Sequence, residues 1–157
     1  MPVGAYGGRR EIMQHIAPLG LVYQGGTLSG NPIAMTAGLV TLDEIAGAGV
    51  YEKLTRLTEQ LLAGLQACAS ENGIPFTTNH VGSMFGLFFS KEPSITHYSQ
   101  AVSCNFAHFK QFFHGMLARG IYLAPSAYEA GFISIMHGPK EIAATVDAAK
   151  QVFASMK

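Results

Sequence analysis

The chain is poor in charge and has no excess of either sign. Lys+Arg and Asp+Glu each number 10 among 157 residues. A general electrostatic binder of nucleic acid needs a basic excess to neutralise phosphates, so that class is disfavoured. Cysteine is scarce as well: Cys68 and Cys104 are the only two, too few for a disulfide framework. A reducing, cytoplasmic setting is expected. No apolar run approaches the ~20 residues that cross a bilayer. Residues 1–10 lack a basic stretch followed by an apolar one, so neither a leader peptide nor a membrane partner is expected. With 48% hydrophobic and 13% charged residues, the chain is too apolar for disorder. Low charge with high apolar content also suggests a surface that something covers.

Glycine is abundant and unevenly spread. Residues 1–49 hold Gly4, Gly7, Gly8, Gly20, Gly25, Gly26, Gly30, Gly38, Gly47 and Gly49. Residues 50–157 read as ordinary alternating helices and strands. Arg9–Ala17 is expected as a short helix stopped by Pro18 and Gly20, and Leu21–Gln24 as a short strand. Gly25–Gly30 reads as a loop. A helix should then start at Asn31-Pro32, because Asn caps well and Pro suits the first helical position. Ile33, Ala37, Val40 and Ile45 are its expected inner face.

Val50–Asn72 is the clearest helix. Leu54, Leu57, Leu61, Leu65 and Cys68 form one stripe at helical spacing, and Gly73 is its expected stop. Pro75–Asn79 and Ser83–Phe89 read as strands around Val81-Gly82. The run Met84–Phe89 lacks alternation, which points to cover on both faces. Asn105–Ala118 is expected to be a helix with Phe106, Phe109, Phe113, Met116 and Leu117 inward. Ile121–Ala124 and Phe132–Met136 read as strands. Pro139–Met156 reads as a last helix with Ile142, Val146, Ala149, Phe153 and Met156 inward. Strand, strand, helix, strand, strand, helix suits an α+β layer with two helices on one face of a sheet.

The stretch Tyr23-Gln24-Gly25-Gly26-Thr27-Leu28-Ser29-Gly30-Asn31-Pro32 carries the most chemistry. Backbone N–H groups and a Thr hydroxyl beside a helix N-terminus make an anion site, most naturally for phosphate. The alternative is a glycine-rich turn capped by a hydroxyl. Ser29 and Asn31 read as caps rather than ligands. His15, His80, His97, His108, His114 and His137 show no metal-site spacing, and no metal is expected. Cys68 reads as packing. Cys104 stands at a helix start, where a thiol's pKa can fall.

These residues carry a resemblance. Pro2-Val3-Gly4-Ala5-Tyr6-Gly7-Gly8-Arg9-Arg10 and Gly26-Thr27-Leu28-Ser29-Gly30-Asn31-Pro32-Ile33-Ala34-Met35 resemble the glutamate-1-semialdehyde 2,1-aminomutase family. That family is a branch of the fold-type I, class-III aminotransferases. Asn79–Gly86 and Tyr122–Phe132 agree with it, and Ala-Pro-Ser with Glu129-Ala130-Gly131-Phe132 is the more particular part. The resemblance implies an α/β to α+β chain. Residues 1–49 would end a pyridoxal-phosphate large domain, 50–73 would form a connecting helix, and 74–157 a C-terminal small α+β domain. It implies conversion of glutamate 1-semialdehyde to 5-aminolevulinate in tetrapyrrole (porphyrin) biosynthesis. Pyridoxal phosphate and pyridoxamine phosphate would be the cofactor forms.

By the same resemblance Gly26 and Thr27 bind the cofactor phosphate. In a homodimer Thr27 would serve the neighbouring subunit. Glu129 would stand on the substrate side, and Ser126 would shape the turn after Pro125. The family's Schiff-base lysine precedes the Pro2-Val3 segment. None of Lys53, Lys91, Lys110, Lys140, Lys150 and Lys157 has its context. The chain alone is therefore expected to be the inactive C-terminal part of the enzyme. Another class-III aminotransferase and a non-catalytic dimerisation module are the competing readings.

Overall fold

The computed structural model describes residues 3–156 and divides the chain into two compact units, Met1–Gly47 and Ala48–Lys157. The first unit holds α1 (Arg10–Met13) and α2 (Pro32–Ile45). The second holds α3 (Val50–Glu71), β1 (Thr77–Val81), β2 (Met84–Phe88), α4 (Tyr98–Val102), α5 (Phe106–Leu117), β3 (Gly131–Phe132) and α6 (Pro139–Ser155). Among the described residues no single helix is long and apolar enough to cross a membrane.

In the first unit α1 is shorter than Arg9–Ala17. After Met13 the chain tightens: the N–H of His15 bonds to the carbonyl of Ile12 and that of Ile16 to Met13, which ends the regular helix. The Leu21–Gln24 strand reduces to one parallel bridge between Ile16 and Val22. α2 begins as expected, with the Asn31 side chain accepting from the N–H groups of Ile33 and Ala34. Its expected inner face does not hold. Ala34 is buried and Ala37 and Ile45 are half-buried, but Ile33 is 69% and Val40 54% exposed. Apart from α1 and its bridge, the unit has turns and extended chain to lay over the helix, so large side chains stay uncovered.

The second unit is built on a three-stranded antiparallel sheet in the order β1-β2-β3. In its register Asn79 faces Gly86, Val81 faces Met84 and Thr77 faces Phe88. Phe85 and Leu87 therefore point to the opposite face, and both are buried with Phe89. α3 and α6 pack along each other, and α5 packs on α6. The α3 stripe is confirmed residue by residue: Leu54, Leu57, Leu61, Leu65 and Cys68 are all buried. Thr58 joins them fully buried, its hydroxyl donating to the Leu54 carbonyl. Gly73 stops the helix at φ 68°, a left-handed conformation that a Cβ disfavours.

Four expectations for this unit change. The Met84–Phe89 run alternates after all: Phe85, Leu87 and Phe89 are buried, Met84 is exposed, and Gly86 and Phe88 are half-buried. Helices cover one face of the sheet, and the other borders a cleft. In α5 the inward residues are Phe112 and Met116, with Phe109 and Phe113 half-buried, whereas Phe106 and Leu117 are exposed. Phe112 owes its place to an aromatic cluster, stacked 4.9 Å from Phe153 and tilted 5.6 Å from Phe89. Ile121–Ala124 forms no strand; the Ile121 N–H closes α5 on the Met116 carbonyl instead. Phe132–Met136 keeps only Gly131–Phe132 as strand, because a turn at Ser134–His137 intervenes. α4 had no sequence signal beyond its two polar flanks. α6 matches its expected stripe, with Ala148 and Val152 added and Val146 half-buried.

Phe112 and Phe153 are fully buried, so Phe153→Ala should remove about 3–5 kcal/mol of stability, read by chemical denaturation of the chain. A loss under ~1 kcal/mol would mean that the cluster is not the core. A second expectation concerns α6. The Gly138 N–H donates to the Glu141 carboxylate at 2.7 Å. That bond, followed by the helix's own Glu141 N–H, holds the Glu141 carboxyl below its ordinary 4.5. A depressed folded value adds stability above the unfolded pKa and loses it as pH falls through the folded one. The stability gap between wild type and Glu141→Ala should therefore be full at neutral pH and close below about pH 4.5. A gap independent of pH would contradict the capping role.

Candidate functional site

The Gly25–Gly30 segment is an exposed turn in the first unit. The Ser29 N–H bonds to the Gly26 carbonyl at 3.0 Å and the Asn31 N–H to the Leu28 carbonyl at 3.1 Å. Among the described residues the N–H groups of Gly26, Thr27 and Leu28 have no partner in the chain. Gly26 is a close approach: a Cβ there would stand 2.6 Å from the Ser29 hydroxyl. Thr27 is exposed. Beside the turn lies an open cleft of about 660 Å³, lined by Gly4, Ala5, Tyr6, Tyr23, Gln24, Gly25, Gly26 and Ser29. Two segments distant in sequence, 4–6 and 23–29, meet there.

Two details of the expected anion site change. The first free N–H groups of α2 are not available, because the Asn31 side chain takes those of Ile33 at 3.0 Å and Ala34 at 3.3 Å. The donors left for an anion are those of the turn, with the helix dipole behind them. Asn31 is thus a cap, as expected. Ser29 is not, since its hydroxyl caps no N–H among the described residues.

Glu129 lies in the second unit, exposed in the loop before β3. Its N–H donates to the Ser126 carbonyl at 3.1 Å, and the Tyr128 N–H donates to the Ser126 hydroxyl at 3.2 Å. Ser126 shapes this turn, as expected. Glu129 borders two clefts. The larger, about 620 Å³, lies on the open face of the sheet and includes Asn79, Met84, Phe88, Tyr98 and Tyr128. The smaller, about 240 Å³, includes Phe109, Tyr122 and Ser126. The tyrosine wall was not foreseen. Tyr98 and Tyr128 stand 6.1 Å apart, and Tyr128 lies 5.2 Å from Phe106. The one available signal was the pairing of Asn79, Val81, Met84, Gly86 and Phe88 on a single face, which needs the hairpin register.

The remaining candidates are structural. Lys53 donates to the Ile135 carbonyl at 3.0 Å. Lys91, Lys110, Lys140 and Lys150 are exposed, and among the described residues no lysine lines a cleft beside Gly26 or Glu129. Lys157 lies outside the described residues. No group of His, Cys, Asp and Glu among the described residues is arranged to hold a metal. Cys104 corrects the expectation of a lowered pKa. It is buried, its thiol faces the Gln100 carbonyl at 3.4 Å, and burial pushes its pKa up. Burial raises that of Cys68 too, assisted by the Glu71 carboxylate.

The family model of class-III aminotransferases matches residues 1–137. The chain belongs to the class-III aminotransferase family. Among solved structures, an omega-transaminase from Sphaerobacter thermophilus is 27% identical, with a TM-score of 0.75 over 94% of this chain. A transaminase with PLP bound is 26% identical, with a TM-score of 0.70 over 94% of this chain. A β-phenylalanine aminotransferase from Variovorax paradoxus shares the fold, with a TM-score of 0.72 over 92% of this chain at 24% identity. The chain spans about a third of each relative: 34%, 34% and 33%. Its fold is that of a fragment of a class-III aminotransferase, the helices and small sheet included.

The cap of α2 gives this family segment a direct test. Asn31→Ala should cost about 0.5–2 kcal/mol locally and speed amide exchange at Ile33 and Ala34. Unchanged exchange at both would remove Asn31 as the anchor of the turn.

Proposed function

We propose that these 157 residues supply the cofactor-phosphate turn and the substrate-side small domain of a pyridoxal-phosphate aminomutase. Its reaction moves an amino group within glutamate 1-semialdehyde to give 5-aminolevulinate for tetrapyrrole synthesis. The observation that carries the reading is the Gly26–Leu28 turn, whose N–H groups are unpartnered among the described residues. The donor set suits a phosphate: adjacent N–H groups, the Thr27 hydroxyl, and a glycine where a Cβ would crowd the turn. Gly26 lets the backbone approach the phosphate, and Thr27 donates its hydroxyl. In the homodimer that the resemblance implies, Thr27 serves the partner's cofactor.

Pyridoxal phosphate, when bound, supplies the electron sink that lets an amino group leave one carbon and join another. The protein's part is to hold, orient and shield. Glu129, kept at its cleft by the Ser126 turn, accepts a hydrogen bond from the substrate's amino group. Tyr98 and Tyr128 form the aromatic wall of that cleft. The residues fit the phosphate end of the cofactor and not its aldehyde end, since no described lysine lines either site's cleft. On this reading a lysine supplied to the cofactor's aldehyde end is needed to complete the site. Few cysteines and neutral net charge suit a cytoplasmic setting and a small-molecule substrate.

A second reading, transfer of the amino group to a separate acceptor, is favoured by the printed descriptions of two solved relatives as transaminases. Products separate the two. The polypeptide carrying this chain, purified from its natural source, should form 5-aminolevulinate from glutamate 1-semialdehyde with no added amino acceptor. Turnover only with an added keto acid would overturn the aminomutase reading.

Thr27→Val in that polypeptide keeps the branched shape and removes the hydroxyl. A hydrogen bond to a charged group contributes about 1.5–3 kcal/mol, so pyridoxamine-phosphate affinity should fall on the order of ten- to a hundredfold. Unchanged affinity would remove Thr27 from the site. For the 157-residue chain alone, borohydride reduction with pyridoxal phosphate should label surface lysines without preference. One stoichiometric adduct on a single lysine would contradict the proposal.

A further inference from the structure

The segment between β3 and α6 is held in an unusual way. Ser134–His137 is a turn closed by the His137 N–H on the Ser134 carbonyl at 3.0 Å. The Met136 N–H donates to the Ser134 hydroxyl at 3.2 Å. The Ser134 N–H donates to Nδ1 of His137 at 3.1 Å. That last bond needs an unprotonated Nδ1, since an imidazolium has two donors and no acceptor. The turn pushes Ile135 and Met136 outward, 41% and 84% exposed. It also borders a cleft of about 330 Å³ lined in part by Tyr122, Leu123, Ile133, His137, Glu141 and Ile142.

We propose that the Ser134–His137 turn is a proton-operated clasp, closed while the imidazole of His137 is neutral and opened when Nδ1 takes up a proton. Histidine is the side chain whose ordinary charge change falls between pH 5 and 8. Protonation turns Nδ1 into a donor that faces the Ser134 N–H, so that pairing is lost. The ring then has a receiver for its charge. Glu141, on the first turn of α6, has its carboxyl held below its ordinary 4.5 and so stays ionised across the whole window. From α3, Lys53 reaches the same turn and donates to the Ile135 carbonyl at 3.0 Å. The Lys53 ammonium and the Glu141 carboxylate are the charged groups beside the turn. Tyr122 is the remaining titratable group lining the cleft with His137.

The Lys53 tie does not depend on the imidazole. The opened turn therefore stays attached to α3 at Ile135 while Ser134 is released. Met136 and the wall of the cleft move, and the sheet and α6 remain. The Phe153 cluster is independent of this ring, so the fold persists through the change.

Amide exchange and NMR titration of the 157-residue chain test the clasp. The exchange protection of the Ser134 N–H, corrected for the intrinsic pH dependence, should fall on the order of tenfold between about pH 8 and pH 5.5. The Ser134 amide shift should follow the same midpoint as the His137 ring. In His137→Asn the amide oxygen lies as many bonds from Cα as Nδ1 does, and it does not titrate. Protection there should be high and flat. In His137→Ala it should be low at both pH values. Wild-type protection that does not change with pH overturns the clasp, as does a fall that persists in His137→Asn. If His137→Asn does not fold, the wild-type titration decides: a Ser134 amide that ignores the His137 midpoint overturns it, and a shared midpoint supports it.

Discussion

Burial of one face of a short hairpin under three helices is the constraint on which the second unit depends. Three strands, one of them two residues long, cannot stand in water unless a face is covered. Here α3 and α6 lie along each other, α5 lies against α6, and Phe85, Leu87 and Phe89 enter from the sheet. Phe76, Phe89, Phe112 and Phe153 meet at the junction, with ring centroids 4.9 to 6.3 Å apart. Their geometry is a mix of stacked, tilted and edge contacts, which suits rings whose faces are negative and edges positive. The Ser126 turn lies between α5, which contributes Phe112 to the cluster, and β3, which pairs with β2.

The long helices were legible in the sequence because burial imposes a period on them. The stripe Leu54–Cys68 survives intact, and Asn31 caps α2 through two bonds. Where the sequence misled, packing partners decided the outcome. Ile33 and Val40 looked inward by spacing alone, yet spacing names a stripe and not what covers it. Phe112 displaced Phe106 in α5 because Phe153 and Phe89 sit where Phe112 points. Ile121–Ala124 has strand-like composition, but its first N–H is consumed in ending α5, so no ladder begins.

The candidate sites were legible to different degrees. Gly26 and Thr27 stood out through composition, and the turn is where they were placed. The structure adds that Asn31 takes the helix donors, which leaves the Gly26, Thr27 and Leu28 N–H groups of the turn as the unpartnered ones among the described residues. Glu129 stood out only through resemblance. Its surroundings of Tyr98, Tyr128 and Phe88 depend on hairpin register and on α4, and neither is local enough to read from a single chain. Cys104 shows the reverse error. Its place between α4 and α5 suggested activation, but a thiol surrounded by apolar groups and facing a carbonyl is held in its neutral form.

The two units differ in how far they satisfy their own apolar surface. The second gathers its buried side chains into one cluster, while Val81, Tyr98, Tyr122 and Met136 stay exposed at its edges. The first leaves Leu19, Leu21, Tyr23, Leu28, Ile33 and Leu42 each at least 61% exposed. A chain this low in charge has few polar groups with which to mask such a surface. The exposed residues lie on both α2 and the loops around it, so a small rotation of the helix would not bury them. The glycine-rich turn follows the same logic. Its Gly26, Thr27 and Leu28 N–H groups, unlike those of α2, have no partner among the described residues.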